Sequence, residues 1–342
     1  MIEARYHDSV HVLQEMFDNR TAFDDAPTPF DRAQWFALLA QTGLAPLIVS
    51  AENADGRAAL ALTEKNRRIE PLRNWYSFTW RQIGARGPQG DVLLAAIAQK
   101  LRGRAHRVTL APVPEEDGSA SALAKAFGNA SWRVEVSRCD TNHALRVAGR
   151  SFAQYWAARP GRLRGTLKRK ASKVNVVICD AFEPNAWQSF EDVYAASWKP
   201  SEGKAAMLRA FAEQEARARR LRLGLASHKG EPIAAQFWTV EGGVAYIHKL
   251  AHRECHRYLS PGTTLMAALF ERVIDGDGVE LIDFGTGDEP FKRDWMETTR
   301  PRYQIDCLDM RSARAWVDLA RLALRRSWEA EVPALARVPL DS

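Results

Sequence analysis

The chain is poor in cysteine, and the four it has, Cys139, Cys179, Cys255 and Cys307, are widely scattered. No two stand at metal-ligand or redox-motif spacing, which argues against a disulfide framework and fits reduced thiols. Also lacking is any apolar run near the roughly 18 residues that a spanning helix needs. The opening residues, Met1-Ile2-Glu3-Ala4-Arg5-Tyr6-His7-Asp8, hold no apolar core of a signal peptide. The expectation is a cytoplasmic protein that meets a membrane only at its surface.

What is present is ordinary in bulk: 46% hydrophobic and 26% charged residues, as in soluble globular proteins. At 342 residues the chain is long for one core, so two domains are expected. A net charge of +6 favours an anionic partner and is equally compatible with simple solubility.

Mixed α/β pieces come in two sets. In the first, Trp35, Phe36, Leu38 and Leu39 make an amphipathic helix of Phe30–Thr42, and Ala45–Ser50 and Arg57–Thr63 flank turn residues as in a hairpin. A helix over Asp91–Leu101, a strand over Arg107–Ala111, a helix over Ser119–Phe127 and a strand over Ser131–Ser137 follow. The second set begins after Asp140–His143. Ser151–Ala158 and Arg162–Lys173 read as helices interrupted by Pro160-Gly161, and the β-branched run Val174–Cys179 reads as a strand. Helices at Ala186–Ser197 and Lys204–Arg220 precede a strand at Leu221–Ser227. The strands Pro232–Val240 and Val244–Lys249 flank Gly242-Gly243, a strong hairpin signal. A strand near Tyr303–Leu308 and a basic helix at Ala313–Arg326 close the set. The predicted fold class is α/β with tandem units over residues 1–143 and 144–330 and a loose tail over 331–342.

The richest stretch is Tyr246–Trp295, which reads strand, polar turn, helix, strand, polar turn. Its helix opens on Ser260-Pro261-Gly262, and Leu265, Met266, Leu269, Phe270, Val273 and Ile274 mark one buried face. Free backbone N–H groups at such a start attract anions, although Ser-Pro-Gly also serves simply to begin a helix. The strand Glu280–Phe284 leads into Gly285-Thr286-Gly287-Asp288-Glu289-Pro290-Phe291-Lys292. Asp283, inside an apolar strand, needs a partner if buried, and Lys249 and Lys292 are candidates. His248, His252 and His256 stand four apart but not on one helix, so a metal site is not expected. His248 is a general-base candidate on a strand facing the cleft. Arg146–Lys173 holds nine Lys or Arg and no Asp or Glu. Its field suits a phosphate-bearing sugar or lipid carrier, tRNA or an anionic membrane face, or else it is a solvated helix surface.

One series of residues ties these pieces together. It comprises Tyr194-Ala195-Ala196-Ser197-Trp198-Lys199, Pro232-Ile233-Ala234-Ala235-Gln236, Tyr246-Ile247-His248-Lys249, Ser260-Pro261-Gly262, Ile282-Asp283-Phe284-Gly285 and Gly287–Trp295. It resembles the GNAT acyltransferase fold, in particular the CelD/BcsL-type acetyltransferases of bacterial exopolysaccharide and cellulose loci. It is also similar to the Fem aminoacyltransferases, which build peptidoglycan cross-bridges with two GNAT-like domains. The resemblance covers Ser151–Leu308 and is carried in the first half by Pro29-Phe30 and Gln34-Trp35.

The resemblance implies two tandem GNAT-like domains, each a mixed, mostly antiparallel sheet flanked by helices, the N-terminal one degenerate. It implies acyl transfer, with acetyl-CoA or another acyl-CoA as donor and a glycan or nucleotide- or lipid-linked sugar as acceptor. Lys292 then looks like a phosphate or oxyanion contact and Asp288 a base or an orienting group, though both also suit a solvated turn. Ser260, Gly262, Thr263 and Thr264 would hold the donor. Trp198, Lys199, Gln236, Lys249, Asp283, Phe291 and Trp35 would line the acceptor side, Trp198 being equally suited to a core. Where ordinary acetyl-CoA GNATs place Arg/Gln-x-x-Gly-x-Gly/Ala, this chain has Arg257-Tyr258-Leu259-Ser260-Pro261-Gly262. That departure keeps an aminoacyl-tRNA donor beside acyl-CoA, and a binding-only assembly factor remains a third reading.

Overall fold

The computed structural model describes residues 2–17 and 28–331. The first half runs β1 (Glu3–His7), α1 (His11–Phe17), α2 (Ala33–Gln41), β2 (Leu47–Asn53), β3 (Gly56–Lys65), β4 (Arg68–Pro71), β5 (Ile83–Gly84), α3 (Gly87–Leu101), β6 (Arg107–Pro114), α4 (Ser119–Asn129) and β7 (Arg133–Arg146). The second continues with α5 (Phe152–Ala157), α6 (Gly161–Lys170), β8 (Asn175–Cys179), α7 (Pro184–Ala195), α8 (Ala205–Arg217), β9 (Leu221–His228), β10 (Glu231–Glu241) and β11 (Val244–His252). It ends with α9 (Pro261–Glu271), β12 (Leu281–Thr286), α10 (Lys292–Trp295), β13 (Thr298–Leu308) and α11 (Ala313–Glu331). The expected tail lies, past Glu331, outside the described residues.

The fold is α/β, with one large mixed sheet flanked by helices. The halves repeat one order. Four antiparallel strands, β1 to β4 and again β8 to β11, are each followed by a strand joined in parallel across a helix. The parallel pairs are β4–β6 across α3 and β11–β12 across α9. The last strands are then exchanged. β13 lies between β6 and β7, and β7 pairs with β12. The predicted 143/144 division therefore falls inside β7, and each half's sheet is completed by the other half's strand. The sequence reading places only Tyr303–Leu308 in the closing strand. Thr298–Arg302 extends it along residues 140–144 of β7.

Small residues decide how helices sit on this sheet. A Cβ on Gly224 of β9 would stand 2.9 Å from methyl carbons of both Leu265 and Leu269, so α9 packs directly on backbone. In the first half, the place that β4 leaves at Pro71 is taken by Trp80. Its backbone N–H donates to the Pro112 carbonyl of β6 and its indole N–H to the Ala61 carbonyl of β3, each at 2.9 Å. A buried tryptophan thus fills the gap between parallel strands that the second half leaves open.

Candidate active site

The opening follows from pairing. β11 and β12 are in register only at Val244–Leu281, Ala245–Ile282 and Tyr246–Asp283, after which they diverge. Two features drive them apart. In β11, Lys249 pairs with Phe237 while Ile247 pairs with the next residue, Trp238, so His248 is an extra, bulged residue that bends the strand. In β12, Gly285 turns the chain at φ +67°, where a Cβ would lie 3.0 Å from the Phe78 ring of the first half. A cleft of about 420 Å³ results, lined by Trp198, His252, Gly262, Thr263, Phe291 and Trp295 among others.

Asp283 stands at the last paired position of β12, where the two strands part, and lines a separate hollow with Tyr246 and Arg300. Its carboxylate accepts from the Asn142 amide at 2.7 Å, the Gly285 N–H at 2.8 Å and Arg300 at 2.6 Å. The expected partners, Lys249 and Lys292, are both engaged elsewhere. Asn142 reaches Asp283 because β7 has crossed from the first half to pair with β12, and Arg300 because β13 lies on the far side of β7, which makes Asp283 a positioning residue of β12.

At one end of the cleft stands the start of α9. Ser260 adopts the left-handed conformation at φ 50°, and its carbonyl accepts from the N–H groups of Thr263 and Thr264. Pro261 has no N–H, so Gly262 carries the first helical N–H without an acceptor in the helix. Gln236, buried, donates to the Gly262 carbonyl at 3.2 Å and accepts from the Trp238 indole at 3.0 Å, fixing the loop to β10. Lys170, the last residue of α6, donates to the Ser260 hydroxyl at 3.1 Å, and Arg257 lines the cleft beside it. Two cations at a helix N-terminus make this a candidate anion site. Thr264 sits just inside, buried, with its hydroxyl unpartnered among the described residues.

The bulge has a second consequence. Strand alternation alone would put Lys249 on the α9 face with Ile247; the extra residue turns it to the face of α7 and the first half. There its ammonium lies 2.7 Å from Glu202 and 4.5, 4.6 and 5.0 Å from the ring centres of Trp75, Tyr76 and Tyr194. Lys292 is also enclosed. It donates to the Thr286 carbonyl, to the Gly287 carbonyl at 3.2 Å and to Glu289 at 2.8 Å. Within the field of both stands Lys199, its amine without a hydrogen-bond or ion-pair partner among the described residues and 5.6 Å from the centre of the Trp198 ring. Burial holds this amine down at about 8, helped by the charges of Lys249 and Lys292 and opposed by Glu289.

Several expected roles change. His248 is not a general base at the cleft. Phe30, Phe78, Phe211 and Phe237 surround its ring at 5.0–5.9 Å, and Thr239 meets Nε2 at 2.8 Å. Burial, with the charges of Arg32 and Lys249, drives it down to about 3, so it stays neutral. Trp35 is not on the acceptor side. It is 2% exposed, packs edge-on against Phe30 and Phe211, and donates to Ser77 at 3.2 Å. Asp288 does not orient Lys292. It is half-exposed and meets His143 at 2.8 Å and Arg293 at 2.7 Å. Lys292 itself is a tie holding the turn after β12, with all three donors committed within that turn.

Trp198, 51% exposed, and Phe291 do line the cleft, as do Ser260, Gly262 and Thr263. In the basic run, Arg150 and Arg159 pair with Glu297 and Arg162 with Asp294, while Arg164, Lys168, Arg169 and Lys173 remain exposed. Sequence reasoning missed Lys170 as part of the anion site, and Trp75, Glu202, Asn142 and Arg300. Only Arg257, inside the loop already singled out, carried a usable signal. Among the described residues no His, Cys, Asp or Glu group is placed to hold a metal ion, and no helix is long and apolar enough to cross a membrane.

Residues 161–293 match the acetyltransferase (GNAT) domain family, so the second half carries a GNAT acetyltransferase-like domain. No curated protein matches the chain by sequence. Among solved structures, FemX is similar in fold, with a TM-score of 0.61 at 10% identity over 90% of this chain and 97% of that one. L-PGS from Bacillus licheniformis has a TM-score of 0.58 at 14% identity, over 93% and 96% of the two chains. A conserved protein of unknown function from Bacteroides thetaiotaomicron gives 0.60 at 12% identity, over 90% and 100%.

Proposed function

We propose that the chain is an acyltransferase that moves an acyl group, acetyl in the simplest case, from acyl-CoA to an amine or hydroxyl of a glycan or its nucleotide- or lipid-linked precursor. The observation that carries this reading is the cleft between diverging parallel strands, closed at one end by the α9 N-terminus with Lys170 and Arg257. The pyrophosphate of the donor rests on Gly262, Lys170 and Arg257. Its acyl end runs along the edge of β11 released from β12, where backbone groups polarise the carbonyl. Trp198 and Phe291 cover the chain from the cleft walls. The acceptor approaches from the Lys249 side.

Acyl transfer must also remove a proton from the nucleophile. Lys199 takes it. The residue follows Trp198, whose ring lines the cleft, and no acceptor among the described residues holds its amine. As the acceptor's nitrogen or oxygen bonds the acyl carbon and the C–S bond breaks, the proton passes to Lys199 and the thiolate leaves.

Calorimetric titration with acetyl-CoA tests the donor. Binding that weakens on Lys170→Ala supports the reading; no heat at millimolar ligand sinks it. A Fem-like transfer from aminoacyl-tRNA is favoured by the fold similarity to FemX and by the exposed Arg164, Lys168, Arg169 and Lys173. It predicts capture of charged tRNA that moderate salt abolishes. A binding-only assembly factor predicts instead that Lys199→Gln leaves function intact.

A further inference from the structure

The helix α11 is apolar on two faces. Ala315, Asp318 and Leu322 face inward, with Ala315 fully buried and Asp318 accepting from Arg68 of β4 at 2.6 Å. On the opposite side Trp316, Val317 and Leu324 are 60%, 51% and 63% exposed, with exposed Ala320 and Ala323 between them. At 3.6 residues per turn these five fall within an arc of roughly 120° facing away from the fold. A surface helix of a globular protein ordinarily turns a polar face outward, so this stripe marks a contact surface.

Charge identifies the partner. Arg314 and Arg321, two turns apart, border the stripe. They also line a hollow of about 520 Å³ with Lys65 and Arg68, where Glu70 and Asp318 are the acids. Asp318 is already engaged by Arg68 and by Arg321 at 3.6 Å, which leaves the rim cationic. In the same hollow His106 is buried with its Nδ1 unpartnered among the described residues. An apolar stripe beside a cationic hollow matches the acyl boundary and phosphates of an anionic lipid surface. A second copy fits less well, because an isologous contact would bring both pairs of arginines around the same stripe.

We infer that α11 docks this protein on an anionic phospholipid surface, its Trp316–Leu324 stripe entering the headgroup boundary and Arg314, Arg321, Lys65 and Arg68 meeting lipid phosphates. This surface is separate from the cleft and does not depend on the reaction catalysed there.

Co-sedimentation of the full chain with vesicles tests it. Vesicles of equal parts phosphatidylcholine and phosphatidylglycerol should bind at least about tenfold more tightly than phosphatidylcholine alone, and salt should weaken the binding. The pair Trp316→Ser and Leu324→Ser, and separately Arg314→Gln and Arg321→Gln, should each lower the affinity at least about tenfold. Their melting temperatures should stay close to the parent's, since these exposed side chains give up only the Trp316 indole bond to the Met310 carbonyl and the 3.6 Å Arg321–Asp318 pair. Failure of the parent to bind anionic vesicles overturns the inference, as does binding that both double variants retain. A dimer seen by light scattering and dissolved by the serine pair, without vesicle binding, would assign the stripe to a second copy instead.

Discussion

The ammonium of Lys170 stands 3.1 Å from the hydroxyl of Ser260, ninety positions further along the chain, and so brings a cation to a helix start that lacks the usual phosphate loop. α6 supplies by packing what the Arg257–Gly262 loop does not supply by sequence. Lys170→Ala and Arg257→Ala should each weaken acetyl-CoA about tenfold, roughly 1.4 kcal/mol, with a shallower salt dependence than the parent. Titration calorimetry at two ionic strengths reads both quantities. Unchanged affinity in both variants would remove the anion site from the α9 start.

With Lys199 as the proposed base, its amine should set the pH dependence of turnover. Its amine, held at about 8 by burial and by Lys249 and Lys292, is a base only above that value. kcat/KM should rise with pH and level off above about 8, and Lys199→Gln should lose that limb along with about 10²-fold or more in rate. An acceptor amine that titrates by itself would leave the limb in place in Lys199→Gln, and the assignment would fail.

His248 links stability to acid. Its folded value of about 3 lies below the ordinary 6.5, so as pH falls the unfolded chain takes up this proton first. The group's contribution is whole above 6.5 and drains away between 6.5 and 3. From pH 7 to pH 5 the loss is about 2 kcal/mol, 1.5 units at 1.36 kcal/mol each. His248→Phe gives up the Thr239 contact but should lose less stability than the parent over that interval, by about this amount. Urea unfolding at the two pH values measures the difference; parallel losses would show that the ring protonates in place.

Lys292 is predicted to be a structural tie. Lys292→Met keeps the stem and removes three donors from the Thr286 and Gly287 carbonyls and Glu289. It should cost about 2 kcal/mol in urea unfolding and weaken donor binding only through a displaced Phe291. Full stability with a large loss of kcat would return Lys292 to the chemistry.

Much of the element content was legible. The apolar spacing of Leu93, Leu94, Ile97 and Leu101 marks α3, and Gly242-Gly243 marks the β10–β11 hairpin, because both signals are local. The short strands β1, β4 and β5 were not legible, since a few residues held by neighbours leave no period to read. Trp198, Ser260 and Gly262 were found as cleft residues because they sit in one contiguous region. Trp35 was misplaced because a core aromatic and a cleft aromatic look alike in one dimension.

The sequence by itself determined the α/β character, the two repeating sets and the region of the cleft, since helical and strand periods, turn residues and helix starts act within a few positions. Tertiary structure alone decided the rest. A one-residue bulge turned Lys249 to the face of α7 and the first half, exchange of β7 and β13 brought Arg300 and Asn142 to Asp283, and packing of α6 set Lys170 on Ser260. In each case the partners lie on different strands or helices, and only three-dimensional pairing selects among the many residues able to meet.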